Sequence, residues 1–448
     1  MRGSVRQLPI RIRGMASLRL RHVLGAVLRP SPTDGRARRP RLLINCISYA
    51  PEIIGAAPYS RDIATWFAAH GWDVRVVTAP PHYPQWRIWD GYSPWRYVVE
   101  QLDGVTVWRC PTWVPRVPSG GKRLAHYCAF ALSTLPVMLG HAFWRPDVTL
   151  VVAPTIVSAP GALAAAALSR SLTWLHVQDY ELAVALELGM LPGIVAPVLA
   201  RVEKAILKSF DIVSTITERM LNRASDQGVP RERLLLLPNW ASLESVFPLS
   251  RPSRFRETLQ IGPDSRVVLY SGNMGRKQGI ELIARAAELS ERAGSSIVHV
   301  VAGEGVTCEV FAEDIAACGV ANVLCLPLQH GADINELMNL ADVHLIVQLE
   351  AAADLVMPSK LTNILASGRP VVVTAAPDTA LAELVEREDL GVVVPPGNAH
   401  ELAVALEGLV ANTERRTRQG ANARVFAERF LNKDQLLAVV LDRLLRGA

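Results

Sequence analysis

Short β-branched runs alternate with helix-length segments from residue 42 to residue 237, and the alternation starts afresh at residue 267. Strands separated by helices cannot pair as tight hairpins; they pair in parallel and take helical cover on both faces. Strands are expected at 42–48, 73–78, 105–109, 148–152, 173–177, 212–215 and 234–237 in the first series. In the second they are expected at 267–270, 297–302, 323–326, 343–347, 371–374 and 391–394. Each series opens with strand, glycine-bearing loop and helix. The expected fold is therefore α/β, with two Rossmann-like parallel-sheet domains facing across a cleft. The expected divisions are a disordered tail at 1–40, an N-terminal domain at 41–240, a C-terminal domain at 241–430 and a C-terminal helix at 431–448. Residues 241–264 read as a connector and 422–445 as helix.

The charge is unevenly placed. Residues 1–41 hold eleven arginines and one acid, which leaves 36 basic against 41 acidic side chains in the rest of the chain. The folded part is thus mildly acidic, which excludes a broad nucleic-acid-binding face. The tail reads foremost as a disordered arm or a false start ahead of Met15, with a leader or a membrane-surface arm as alternatives, and it lacks the apolar core and cleavage site of a secretory signal. Six cysteines, at 46, 110, 128, 308, 318 and 325, form no CxxC or zinc spacing and are expected as buried free thiols. Residues 124–144 and 148–169 approach the length of a membrane span. The second is broken by Pro154, Pro160 and Gly161 and reads as strand, loop and alanine-rich helix. The first reads as a buried helix, with a helix lying in a membrane interface as the rival.

Two segments of the second series seek an anion. Ser-Gly-Asn-Met-Gly-Arg-Lys-Gln-Gly at 271–279 joins a strand to a helix, the position where open α/β sheets bind ligands. Its glycines let the backbone approach a diphosphate, and Lys277 can neutralise it. A glycine-rich turn with a solvated Arg-Lys pair is the plainer alternative. Residues 351–375 supply a loop with Asp354, a helix over 358–367 stopped by Gly368, and a strand. Amides at a helix start attract anions, and Lys360 in that first turn opposes the helix dipole unless an anion lies near.

Other segments read more openly. Ala-Gly-Glu-Gly at 302–305 can hold a base or ribose, or can be a tight turn that needs positive φ. His-Val-Gln-Asp-Tyr-Glu at 176–181 ends a first-series strand, where His176 can donate to a phosphate or hydroxyl and Asp179 can orient it. Gly55 to Tyr59 form the first strand-to-helix loop, placed to approach ligand. The aromatic stretch 82–97 can stack on sugars, enter an interface or pack on itself. No DxD acid pair is present, so a mechanism with no metal and no cofactor is expected. The P-loop, the GxGxxG fingerprint and GxSxG are absent, which disfavours nucleotide hydrolysis, nicotinamide chemistry and serine hydrolysis.

Taken together, Tyr-Ser-Gly-Asn-Met-Gly-Arg-Lys-Gln-Gly (270–279), Ala-Gly-Glu-Gly (302–305), Leu-Pro-Leu-Gln (326–329) and Met-Pro-Ser-Lys-Leu-Thr-Asn-Ile-Leu-Ala-Ser-Gly-Arg-Pro (357–370) resemble glycosyltransferase family 4. Ser-Tyr-Ala-Pro-Glu (48–52), the run at 76–86 and Pro-Asn-Trp (238–240) are most similar to its colanic-acid fucosyltransferase subgroup. The resemblance implies a retaining enzyme of the GT-B fold. It gives Lys277 the donor diphosphate and sets His176 against the transferred sugar or its phosphate; Asp179, from the residues alone, can orient His176 or hold the acceptor. Gly272, Asn273, Met274, Gly303, Glu304, Leu328, Asp354, Leu355, Val356, Met357, Lys360 and Asn363 are expected to line the donor site, and Gly55 and Tyr59 the acceptor site. The family places two glutamates eight positions apart in the later run. Here the second position is Asn363, and the upstream acid, Asp354, lies nine positions before it. The implied reaction moves a sugar, fucose by the subgroup, from a nucleotide-diphosphate sugar to a polyprenyl-diphosphate-linked saccharide. It implies work in surface or exopolysaccharide synthesis, inside the cell at the cytoplasmic membrane face. A nucleotide-sugar epimerase and a non-catalytic nucleotide-sugar-binding subunit are the alternatives.

Overall fold

The computed structural model describes residues 16–18, 38–154, 156–180, 196–275, 279–305, 307–329, 331, 333–349 and 357–446. Lys277, Asp354, Leu355 and Val356 lie outside the described residues. The chain forms two compact units, 1–176 with 201–213, and 177–200 with 214–447.

The first sheet has nine strands: β1 (Ala16–Leu18), β2 (Arg41–Cys46), β3 (Asp73–Thr78), β4 (Tyr97–Leu102), β5 (Val105–Arg109), β6 (Val148–Ala153), β7 (Leu172–Val177), β8 (Ile212–Thr215) and β9 (Leu234–Leu236). Their order is β1-β4-β5-β3-β2-β6-β7-β8-β9. The helices of this stretch are α1 (Ala57–Ala69), α2 (Gly120–His141), α3 (Ala159–Ser169), α4 (Ala196–Lys208) and α5 (Glu218–Asp226). β2 pairs in parallel with both β3 and β6, and β3 with β5. Two features differ from the sequence reading. β4 rises out of the aromatic stretch and pairs antiparallel with β5, through Asp103 and Gly104 at φ of 51° and 79°. Two successive positive φ values make the turn that suits a twisted hairpin, and Asp-Gly is its usual dipeptide. Ala16–Leu18, inside the tail expected to be disordered, pairs antiparallel with β4 and occupies the sheet edge.

The second sheet has the order β12-β11-β10-β13-β14-β15 and is parallel throughout. Its strands are β10 (Arg266–Asn273), β11 (Ile297–Glu304), β12 (Val323–Leu326), β13 (Val343–Ile346), β14 (Val371–Thr374) and β15 (Gly391–Val394). Around them lie α6 (Phe255–Thr258), α7 (Glu281–Arg292), α8 (Cys308–Cys318), α9 (Asp333–Leu340), α10 (Lys360–Ala366), α11 (Ala380–Arg387), α12 (Ala399–Ala411), α13 (Thr413–Phe430) and α14 (Lys433–Leu445). Val267 and Leu269 enter one core, while Val268 and Tyr270 enter the other. That alternation is what a sheet covered on both faces requires.

The helix expected over 422–445 is in fact two, because the Asn432 side chain accepts from the Gln435 amide and starts a new helix. The expected connector is built into the second unit. Ala241 bridges to Asn432, and the amides of Phe247 and Leu249 donate to Asn335 and Asn339 on α9 at 3.0 and 2.9 Å. All six cysteines are free, as expected, but only Cys46 and Cys110 are buried; Cys128, Cys308 and Cys318 are half-buried and Cys325 is exposed.

Candidate functional site

The second unit concentrates its unusual chemistry at the carboxyl ends of β10 and β11. β10 and β11 run three and two residues further than expected, so Gly272 and Gly303 sit opposite each other as ladder partners and Asn273 opposite Glu304. A Cβ on Gly303 would stand 2.2 Å from the Gly272 carbonyl oxygen, and one on Gly305 would stand 2.2 Å from the Met274 carbonyl oxygen. Gly303 is there because two backbones touch, whereas Gly305 both abuts the Met274 carbonyl and takes the positive φ, 157°, that a turn reading requires. Met274 closes the join: its amide donates to the Glu304 carbonyl at 2.8 Å, and its carbonyl accepts from the Thr307 hydroxyl at 2.8 Å. Its sulfur meets Cys308 Sγ at 3.3 Å. Gly303→Ala should therefore cost at least about 2 kcal/mol of stability, read as a fall in melting temperature, because neither backbone can retreat.

Lys360 comes to this join from α10. Its Nζ lies 3.7 Å from the centre of the Tyr270 ring, and a Cβ on Gly272 would lie 3.2 Å from it. The side chain needs the bare face of Gly272, which has φ of 134°. Lys360 Nζ is shut off from solvent and has no hydrogen-bond partner among the described residues. Burial pushes the ammonium down to about 7. A ring face attracts a cation but supplies no acceptor for its three N–H groups. A buried, uncompensated ammonium is costly, and an anion brought beside it removes that cost. Tyr270 was missed in the sequence. Its hydroxyl donates to the Asn273 carbonyl at 2.8 Å, so one ring both orients Lys360 and fixes the end of β10.

The other expected donor residues are spread around this point. Asn363 is half-buried on α10, with its carbonyl engaged by the Ser367 amide. Met357 packs its side chain against the core. Glu304 is exposed at the end of β11, and Leu328 is half-buried in the loop after β12. The helix itself is shorter than expected, Lys360–Ala366, and ends with Gly368 at φ of 66°. Among the described residues, no three His, Cys, Asp or Glu side chains gather as metal ligands.

Elements of the first series place the remaining candidates. His176 is fully buried on β7 with its ring 6.3 Å from that of Trp174. Asp179 is half-buried just beyond the strand. Between them Gln178 donates to Asn239 at 2.9 Å, which ties the 176–181 motif to Pro-Asn-Trp. Gly55 is exposed at φ of 70°, and Tyr59 is buried on α1.

Sequence reading named Glu52 and His82 separately, and the structure joins them. Glu52 Oε1 accepts from the amides of His82 and Tyr83 at 2.6 and 2.8 Å. The loops after β2 and β3 are thereby held together by one buried carboxylate, whose pKa burial pushes up against those amide bonds. His82 donates Nδ1–H to the Pro80 carbonyl at 2.9 Å, and burial pushes it down to about 4, so it is neutral. Arg109 is equally buried and bonds Glu100 at 2.7 Å and the carbonyls of Ala50 and Ala79. Glu52→Ala should lose roughly 2 kcal/mol and open the loop after β3 to limited proteolysis.

Comparison with known proteins agrees with this architecture. Residues 55–240 match the family model described as "Glycosyl transferase 4-like domain", and residues 253–426 match "Glycosyl transferases group 1". The putative colanic acid biosynthesis glycosyl transferase WcaI of Escherichia coli K12 is 36% identical over 404 residues, covering 89% of this chain and 98% of the relative. Alpha-D-kanosaminyltransferase of Streptomyces kanamyceticus is 26% identical, over 51% of this chain and 58% of its own length. Among solved structures, sucrose-phosphate synthase of Thermosynechococcus elongatus superposes with a TM-score of 0.70 at 18% identity, covering 91% of this chain and 98% of that one. WaaG, a glycosyltransferase involved in lipopolysaccharide biosynthesis, superposes at 0.64 and 18% identity, covering 89% and 98%. Anabaena HepE, solved with UDP and glucose, superposes at 0.66 and 16% identity, covering 90% and 99%. With two parallel-sheet α/β domains, both family models matched in order and a full-length relative above one-third identity, the chain is a glycosyltransferase of the GT-B fold and belongs to the family that joins a glycosyl transferase 4-like domain to a group 1 domain.

Proposed function

We propose that the chain transfers a sugar, fucose by its nearest subgroup, from a nucleotide-diphosphate donor to a lipid-linked oligosaccharide with retention of the anomeric configuration, in the assembly of a surface polysaccharide. The observation that carries the donor class is Lys360, a buried ammonium with no hydrogen-bond partner among the described residues, beside two touching glycine strands. A donor diphosphate supplies an anion for it. As the glycosidic bond breaks, charge grows on the departing phosphate, and a fixed cation there lowers the barrier. Lys277, by the resemblance, adds a second positive charge. No metal is needed in this reading, since ammonium groups take the neutralising role; full activity in a chelator tests that point. His176 and Asp179 are assigned to the transferred sugar, and Gly55 and Tyr59 to the acceptor. Retention follows if the acceptor hydroxyl attacks on the face the phosphate leaves, with that phosphate taking the proton. Support for the polysaccharide comes from the full-length similarity to a colanic acid enzyme. Support for the donor class comes from HepE, solved with UDP-glucose.

The test is turnover of a panel of labelled nucleotide sugars with a lipid-diphosphate saccharide acceptor. Transfer with retained configuration, read by NMR coupling constants, is expected. Interconversion of the nucleotide sugar without an acceptor would instead make the chain an epimerase.

A further inference from the structure

α2 is apolar on more than its packed side. Tyr127, Phe130, Thr134, Val137, Met138 and His141 are buried against the first unit. Leu132 and Leu135 on another face of α2, and Phe143 in the short 3-10 turn that follows it (Ala142–Trp144), are exposed. Leu132 and Phe143 are 72% and 75% exposed. α3 extends this face: Gly161 abuts Leu135, its Cβ position 3.1 Å from Leu135 Cδ1, and Leu168, two turns on from Gly161, is 69% exposed. Trp95, two residues before Tyr97, is exposed, and the Tyr97 hydroxyl donates to the Ser133 carbonyl on α2 at 2.9 Å. A helix with one apolar face in a core and another in solvent is missing a partner.

Charge says what that partner is. From residue 104 to residue 178 the sequence has one acid, Asp147, against six Lys and Arg. Asp147 is itself paired with Arg38 at 3.0 Å. Arg116 and Lys122 at the start of α2, Arg145 after it and Arg170 after α3 are exposed around the apolar face. β4, which begins two residues after Trp95, also pairs with β1, and β1 belongs to a tail with ten arginines in residues 1–40. Exposed leucine and phenylalanine, a nearby tryptophan and an acid-poor basic rim match an anionic lipid surface, where apolar side chains enter the acyl boundary and cations meet head groups. A span is not the right form, since half of the most apolar window of α2 is buried in the protein.

We propose that the α2–α3 face of the first unit docks on an anionic membrane surface. This extends the reading of a lipid-borne acceptor, which would be met at that surface. Docking lays α2 along the lipid plane without crossing it, and basic residues give it a salt dependence.

The test is co-flotation of the full chain with vesicles of phosphatidylglycerol and phosphatidylethanolamine, or of phosphatidylcholine alone. The combined variant Leu132→Asp, Phe143→Asp and Leu168→Asp is compared with wild type, with Leu132→Asp alone as the milder change if the combination folds poorly. Wild type is expected to float with anionic vesicles, weakly with neutral ones and less at high salt. The combined variant should partition at least about tenfold more weakly, and the single variant should be weaker than wild type. Thermal stabilisation by nucleoside diphosphate should be the same in all three. Wild type that ignores anionic vesicles, or variants that float equally well, would overturn the proposal. So would a wild-type dimer that the substitutions split, which would make the face a contact between copies. If nucleoside diphosphate stabilises none of the proteins while flotation follows the expected order, the glycosyl-donor reading fails and the docking surface stands.

Discussion

Lys360→Met is expected to move ligand-free stability and ligand response in opposite directions. The free protein should melt higher, because methionine fills the same space against Tyr270 without a charge. Burial holds the ammonium near 7 against an ordinary value of 10.5. By linkage, that shift costs the native state on the order of 4 kcal/mol at neutral pH. The sign gives a further check. Between about pH 7 and 10.5 the unfolded chain holds a proton that the native chain has lost, so wild-type stability gains as pH rises through that window. Lys360→Met should lack that gain. With nucleoside diphosphate present the order reverses: the wild type is stabilised by mass action, whereas the variant has lost the charge that meets the phosphates. Turnover should fall about 100- to 1000-fold, the usual consequence of removing one fixed group from a developing anion. A variant no more stable than wild type, and still stabilised by the nucleotide, would mean that Lys360 is only a packed side chain.

Acid should unfold the protein early, starting well above the carboxylate range. Burial holds His82, His126 and His299 at about 4 and His141 and His344 at about 3. Each is neutral in the native state, while its unfolded counterpart takes a proton below about 6.5. The unfolded state binds more protons through that window, so stability is lost as pH falls from about 6.5 toward 4. At pH 5 one such imidazole costs about 2 kcal/mol. The buried Glu52 carboxyl, shifted upward, works against the trend but is one group against five. The melting temperature should drop by on the order of 10 °C between pH 7 and pH 5. His299 is the cleanest probe, because both of its ring nitrogens lack partners among the described residues. His299→Leu should flatten the pH dependence by about 2 kcal/mol. A profile flat to pH 5 would mean that these imidazoles are hydrated.

The parallel strands were readable because each is a β-branched run buried on both faces, a pattern that survives without tertiary knowledge. β4 was not. Tyr-Val-Val-Glu-Gln-Leu alternates weakly and follows an aromatic loop, although Asp103-Gly104 was a hairpin signal in plain view. The break at Asn432 was equally local, since an asparagine inside a helical pattern is a cap as readily as a helix residue. The site divides along the same line. Glycines at the ends of β10 and β11 announced a close approach, and Lys360 stood out by its place in a first helical turn. What the sequence could not show is that Gly303 is small because of Gly272, or that Tyr270 lies under Lys360. Those pairings join residues 31 and 90 positions apart; the parallel register of β10 and β11 makes the first, and the placement of α10 at the end of β10 makes the second. The tie from Glu52 to His82 and Tyr83 was hidden for the same reason.

Calorimetric titration of UDP and of GDP at pH 8, in two buffers of different ionisation enthalpy, tests the central claim most directly. A native Lys360 near 7 is mostly neutral at that pH and must regain its proton to hold a diphosphate. Whichever nucleotide binds should therefore take up close to one proton, roughly 0.9, per site, and Lys360→Met should show no uptake and little binding. Tight binding by wild type without proton uptake, or the same uptake in Lys360→Met, would contradict the assignment of this ammonium to the donor phosphates.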